Sequence, residues 1–278
     1  MSGDPGAPFD RAAVRRHRDR AAARVDQVAD LLRDLAERLV DRLDDTTRPF
    51  AAALDLGGRG VVAPLLRARG IATVSCDLSH PMAARNPAPL VVADEEFLPF
   101  APASFDLVVA SLSLHWVNDL PGALIQLRRA LRPGGLLLAS LPARGTLGGL
   151  RDALTRAEVA LTGGAAPRVA PFPDLRDCAG LLQRAGYALP VADMDAIDLS
   201  YADPLALIAE LRAAGETNAL AERDRRIPPR ALFATGLAGL VGADGRVPVR
   251  LQLAVLTGWA PDRAAGRGGM SAGPPEDE

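Results

Sequence analysis

At 278 residues the chain has room for one large α/β domain with embellishments or two small ones, and 49% hydrophobic residues are enough for a substantial core. A net charge of -2 gives no reason to expect a nucleic-acid partner, and a chain with no lysine excludes Schiff-base and lysine-base mechanisms. No segment nears the roughly 20 apolar residues of a membrane span, no signal peptide is expected, and Cys76 and Cys178 read as separate buried thiols rather than as a disulfide or metal ligands, so a cytoplasmic setting is expected.

Residues 1 to about 48 read as an arginine-laden helical arm. Leu31, Leu32, Leu35, Leu39 and Leu43 recur at helical spacing, so one face must pack against something. From Pro49 to about Pro142 short apolar strands alternate with helices. The strands are expected at Ala52–Leu56, Ala72–Asp77, Leu90–Ala93, Leu107–Ser111 and Leu136–Leu141, with helices near Val61–Ala68 and Leu120–Leu131. Such alternation implies a parallel sheet with helical crossovers. From 143 to 246 the pattern is mostly helical, at about 147–161, 174–185, 204–214 and 229–240, broken by a strand near Leu189–Leu199. Pro248–Trp259 reads as a long last strand. Residues 49–260 are expected to form one domain, with about 200–245 a helical insertion. Residues 261–278, which end in the Gly/Pro-rich, acidic stretch Ala265–Glu278, are expected to be disordered.

The stretch Ala51-Ala-Ala-Leu-Asp-Leu-Gly-Gly-Arg-Gly60 is the first to carry chemistry. A buried strand delivers Asp55, and Gly57, Gly58 and Gly60 let backbone approach a ligand; a tight turn without a ligand would use the same residues. Asp77 closes the second strand, where a carboxylate can accept the hydroxyl hydrogens of a ribose, or cap the turn beyond it. Asp94 and Glu95 follow the third strand. In such sheets ligands bind outside the carboxyl ends of the strands, so these acids share one candidate site. Glu96 reads as a solvated loop charge.

Further along come Leu98-Pro-Phe100, Ser104-Phe-Asp-Leu-Val-Val-Ala-Ser111, Leu114-His-Trp-Val-Asn-Asp119 and Leu131-Arg-Pro-Gly-Gly-Leu136. In this order the motifs of residues 50–142 resemble those of class I S-adenosylmethionine-dependent methyltransferases. The resemblance implies a Rossmann-like, doubly wound, seven-stranded, mostly parallel sheet. It also implies S-adenosyl-L-methionine as cofactor, with Asp55, Asp77 and Asp94 toward its methionine, ribose and adenine portions. Gly57, Gly58, Gly60, Glu95 and Ser111 would complete that set.

Phe9-Asp-Arg-Ala-Ala-Val-Arg-Arg-His-Arg18, Ala93–Phe100, Ser111–Pro121 and Gly215-Glu-Thr-Asn218 are similar to one subfamily of these enzymes. It includes a mitochondrial assembly factor of respiratory complex I with its bacterial relatives, and has the biotin-pathway malonyl-carrier-protein methyltransferase as a neighbour. That resemblance implies methyl transfer to a protein or carrier-bound acceptor. The alternatives are hydroxylation of an arginine on a complex I subunit and non-catalytic service as an assembly chaperone.

The chain departs from the family's Gly-x-Gly-x-Gly loop, since Gly57-Gly-Arg-Gly-Val61 is either one residue shorter or has Arg59 and Val61 in place of glycines. Arginine with φ > 0 would be strained and could crowd the methionine tail, or pair with its carboxylate. His115 is the candidate general base for an acceptor, or with Trp116 a shaper of the pocket wall. Asn118 and Asp119 read as caps of the next helix. Arg11, Arg15, Arg16 and Arg18 read either as a solvated face or as a gate over the site. Gly215 reads as a helix terminator; Tyr201 and Gly215–Asn218 lie where acceptor specificity resides in this fold.

Overall fold

The computed structural model describes residues 6–262, so most of the expected disordered tail lies outside the described residues. Seven strands form one sheet: β1 (Ala52–Leu56), β2 (Ala72–Asp77), β3 (Leu90–Val92), β4 (Phe105–Ser111), β5 (Leu131–Pro142), β6 (Ala188–Tyr201) and β7 (Val247–Trp259). Their order is β3-β2-β1-β4-β5-β7-β6. The first five are parallel, and β7 runs antiparallel to both β5 and β6. The expected seven-stranded, mostly parallel sheet is therefore present.

The arm supplies α1 (Arg11–Ala21) and α2 (Ala29–Val40). Later come α3 (Val62–Ala68), α4 (His80–Ala83), α5 (Leu120–Ala130), α6 (Gly148–Thr162), α7 (Leu175–Arg184), α8 (Pro204–Ala214) and α9 (Arg230–Ala238). Asp10 starts α1 by accepting from the Ala13 N–H at 2.9 Å. Asp119 does the same for α5, accepting from Gly122 N–H at 2.9 Å, as the sequence led one to expect. α2 turns Leu32, Leu35 and Leu39 inward, so the leucine spacing is explained by packing.

Both faces of the sheet are covered, and that is why its strands read as unbroken apolar runs. Leu54, Leu56, Val108 and Leu137 point toward Leu124 and Leu127 of α5 and Leu182 of α7. Ala53, Leu107, Val109 and Leu138, one step out of phase, meet Leu39 of α2 and Leu66 of α3. Truncating a fully buried leucine such as Leu127 to alanine would destabilise by about 2–5 kcal/mol, because the closed layer cannot refill the hole.

Several elements differ from expectation. β6 runs two residues further than expected, to Tyr201. β4 starts two residues early, at Phe105. β5 starts at Leu131: pairing passes from Phe105–Leu131 to Leu107–Leu136, and the residues between, with Gly134 at a left-handed φ of 69°, protrude as a bulge. The short α4 was not foreseen; Ser79 caps it by accepting from Met82 N–H at 3.2 Å. Among the described residues no helix is long and apolar enough to cross a membrane.

Parallel pairing brings the ends of the strands to one edge. Asp55 sits opposite Ser75, Asp77 opposite Val92 and Ser111 opposite Ser140. α1 lies against α4 and α8, so the arm and the insertion meet at this edge.

Candidate functional site

The loop after β1 divides the edge into two sides. Gly57 and Gly60 take left-handed φ values of 68° and 86°, and Arg59 between them has φ 51°, the unfavourable conformation that its place in the loop predicted. Asp55 lies beneath this loop rather than at its rim. A Cβ on Gly58 would stand 2.1 Å from Asp55 Oδ1, so only glycine fits. Asp55 Oδ2 accepts from Ala63 N–H at 3.2 Å, tying the loop to the start of α3. Burial pushes the Asp55 carboxyl up to about 7, with the nearby Asp77 adding to it.

On the arm side Asp77, Glu95 and Asp94 are strung along two arginines from α1. Arg18, 1% exposed, reaches Glu95 Oε1 at 2.9 Å and lies 3.3 Å from Asp77 Oδ2. Arg11 binds Glu95 Oε2 and also Asp94 Oδ1, the latter at 2.5 Å. Burial raises the Asp77 carboxyl against the pull of Arg18. For Glu95 burial opposes the charge, but Arg18 and Arg11 outweigh it and hold the carboxyl below its usual range. Asp77 Oδ1 accepts from Ser79 N–H at 2.8 Å. Asp77 Oδ2 and Arg18 Nε and Nη2 are buried without a hydrogen-bond partner.

The arm arginines therefore divide. Arg11 and Arg18 are committed to the acids, while Arg15 and Arg16 are exposed. Glu96 also departs from the solvated loop charge expected: its Oε1 accepts from Asn118 N–H at 2.6 Å, in a partly buried setting. Neighbouring Asn118 accepts from Phe9 N–H at 2.8 Å, which fastens the start of the arm to the loop after β4.

On the insertion side the Arg59 side chain runs from the loop toward the end of α8. Its Nε donates to the Ala214 carbonyl at 3.2 Å, its Nη1 stands 3.5 Å from the Ser111 carbonyl, and its Nη2 binds Glu216 Oε1. Glu216 Oε2 meets His115 Nε2 at 2.7 Å and accepts from Trp116 Nε1 at 2.8 Å. Burial alone would raise the Glu216 carboxyl; His115 and Arg59 overcome that and bring it down to about 2. Gly215 ends α8 with φ 80°, as expected, and that turn is what points Glu216 inward.

A cavity of about 300 Å³ opens beside this cluster. Its walls include Leu35, Leu150, Leu154, Leu211 and Leu251, and Arg59, His115 and Glu216 form part of its polar lining. Tyr201 lines it too, bonded to Glu210 at 2.7 Å. The sequence singled out His115 and Trp116 but not Glu216. The only trace of Glu216 was its place in Gly215-Glu-Thr-Asn218, and nothing local marks a partner 101 positions away.

The strand order and the reversed seventh strand define the class I methyltransferase fold. The crystal structure of the YcgJ protein from Bacillus subtilis shares it, with a TM-score of 0.55 and 12% identity over 81% of this chain and 98% of that one. Residues 54–139 match the family model described as a methyltransferase domain. The mitochondrial arginine-hydroxylase NDUFAF5 of Danio rerio is 35% identical over 268 residues, 91% of this chain and 83% of that protein. A malonyl-[acyl-carrier protein] O-methyltransferase of Xylella fastidiosa is 36% identical over 268 residues, 91% and 89% of the two chains. The chain belongs to the S-adenosylmethionine-dependent methyltransferase family: it is an enzyme of that type, and S-adenosylmethionine is its cofactor.

Proposed function

We propose that the enzyme methylates a protein or carrier-bound acceptor seated in the cavity, from S-adenosylmethionine held on the arm side of the loop. The cofactor set is Asp55, Gly57, Gly58, Gly60, Asp77, Asp94, Glu95 and Ser111. The observation that carries this reading is the pair of adjoining sides, one rich in acids and the other a largely apolar cavity with a histidine, divided by Arg59 and its loop.

The arm-side residues fit the cofactor. Asp77 Oδ2, Arg18 Nε and Arg18 Nη2 are buried polar atoms left without partners, which a ribose hydroxyl and a carboxylate would satisfy. Asp77 would accept from the ribose, and Glu95 and Asp94 would keep the two arginines aligned. Asp55 acts from below, holding the loop open for backbone contact. When bound, S-adenosylmethionine supplies an already activated methyl group, so the chain's part is mostly alignment and exclusion of water. His115 stands at the cavity as general base.

Calorimetry with S-adenosylmethionine and its demethylated product tests the cofactor side: binding is expected, with none for NAD. Transfer of labelled methyl to an acceptor tests the reaction. The relatives named arginine-hydroxylase favour a second reading, hydroxylation of an arginine on a complex I subunit. Its test is a mass gain of one oxygen on that arginine, lost when the gene is deleted. An Asp77→Ala variant that loses the cofactor yet still supports assembly would point to a chaperone instead. Both cysteines are free and buried, which supports placing the protein in the reducing cytoplasm.

A further inference from the structure

We propose that Glu216 is the positioning residue of a Glu216–His115 pair that takes a proton from the acceptor, and that the acceptor therefore reacts through an N–H or O–H group rather than a carboxylate. The inference rests on the methyl-transfer reading above and narrows its acceptor.

Glu216 receives Arg59, His115 Nε2 and Trp116 Nε1 on its two oxygens. Guanidinium and indole can only donate, and the anionic carboxylate offers only lone pairs. His115 Nε2, 2.7 Å from Oε2, must then carry its hydrogen. In a neutral imidazole that leaves the lone pair on Nδ1. His115 Nδ1 is buried and has no hydrogen-bond partner, and His115 lines the cavity. The ring is held from several sides: Phe172 lies 6.2 Å from it edge-on, and Trp116 is braced by Phe9 at 5.3 Å. The charged groups facing it are Glu216 and, through Glu216, Arg59. A base is thus fixed in one tautomer, at the wall where an acceptor would sit.

The acceptor class is set by what such a base can do. A carboxylate is already anionic at neutral pH and has no proton to give up. It would also be placed beside the Glu216 anion among leucines, with Arg59, His115 Nε2 and Trp116 engaged by Glu216, Arg168 by Glu158, and Arg212 on the exposed side of the lining. An amine, guanidine or alcohol enters uncharged or sheds its proton there, and gains from a base. The step balances. The acceptor atom forms a bond to the methyl carbon, the carbon–sulfur bond breaks with its electron pair left on sulfur, and the acceptor proton goes to His115 Nδ1 and from there to solvent.

Two readouts separate this inference from the reading beneath it. The first needs no cofactor: imidazole ¹⁵N spectra, simple to assign with three histidines and a His115→Asn control. The wild type should show His115 protonated at Nε2 alone, and Glu216→Gln a mixture of tautomers. A wild-type ring protonated at Nδ1 alone, or an unchanged spectrum in the variant, overturns the pairing. The second readout uses methyl-labelled S-adenosylmethionine with extract from cells lacking the gene, followed by mild alkali. Alkali-stable label supports the proposal when Glu216→Gln lowers kcat roughly 10- to 100-fold with cofactor Kd unchanged and Glu216→Asp restores part of it. Label released as methanol marks an ester and overturns the acceptor class. No label despite cofactor binding sinks the methyl-transfer reading and the acceptor class with it, while the spectra still decide the pair. Should Glu216→Gln fail to fold, Glu216→Asp and the wild-type spectrum carry the test.

Discussion

The two sides of the glycine loop treat buried charge in opposite ways. On the insertion side one carboxylate, Glu216, is met by three donors and held far below its usual proton affinity. On the arm side Asp77, Glu95 and Asp94 share two arginines, burial raises Asp77, and several polar atoms stay unpartnered. Glu216, with both oxygens partnered, is held rigidly, whereas the incompletely partnered arm-side groups have capacity left for a ligand. The base is therefore built in advance, and the cofactor cradle is completed by what binds.

The severest challenge to this contrast is Glu216→Ala. It strands Arg59 and His115 in a buried place, and urea denaturation should show a loss of roughly 3–5 kcal/mol. A loss below about 1 kcal/mol, the range of exposed pairs, would mean the cluster is loosely solvated and not preorganised.

Asp55 gives the next effect, through pH. Its folded value of about 7 is above the unfolded 3.8, so the folded chain keeps a proton that the unfolded chain releases. Stability should therefore fall as pH rises from about 4 to 7 and flatten above, by roughly 4 kcal/mol in all. Denaturation midpoints for Asp55→Asn should lack that slope. An unchanged slope would take Asp55 out from under the loop.

Smaller effects separate ligand from scaffold on the arm side. Asp77→Ala should weaken S-adenosylmethionine binding by roughly 1–3 kcal/mol in calorimetry, the range for stranding a buried polar partner. Arg18→Met should weaken that affinity too, by no more than about tenfold, because Arg18 Nη1 is already bonded to Glu95 and only Nε and Nη2 are left for a ligand. Abolished binding in Arg18→Met would make the arm a fixed part of the cradle.

Legibility in the sequence tracks the range of the interactions. The acids of β1 and β2 were legible because a short strand carrying an Asp at or near its end, followed at β1 by glycines, is a local pattern. The leucine stripe showed that α2 packs, and the sheet explained against what. Glu216 and the division among the arm arginines were not legible, since each depends on partners brought close only by the whole fold. Arg18 meets Glu95 across 77 positions, and Arg59 meets Glu216 across 157. The odd residue in the glycine loop was the one local sign that something distant compensated for it.

The smallest expected effect is an absence of reaction, and it tests the contrast from outside both clusters. Burial pushes the Cys76 thiol up to about 12, and Glu95, Asp77 and Asp55 add to the shift. Burial also pushes Cys178, on α7 in the same core layer, up to about 11. At pH 8 about one Cys76 in ten thousand would be thiolate, the reactive form. Mass spectrometry after iodoacetamide should find both unmodified in the native protein, with and without cofactor. Cys76 precedes the rim acid Asp77 by one position along β2, so its modification while Cys178 stays intact would mean that the arm side opens down to the core. The unpartnered atoms there would then mark a disordered edge, and the contrast with Glu216 would be one of stability and not of readiness for a ligand.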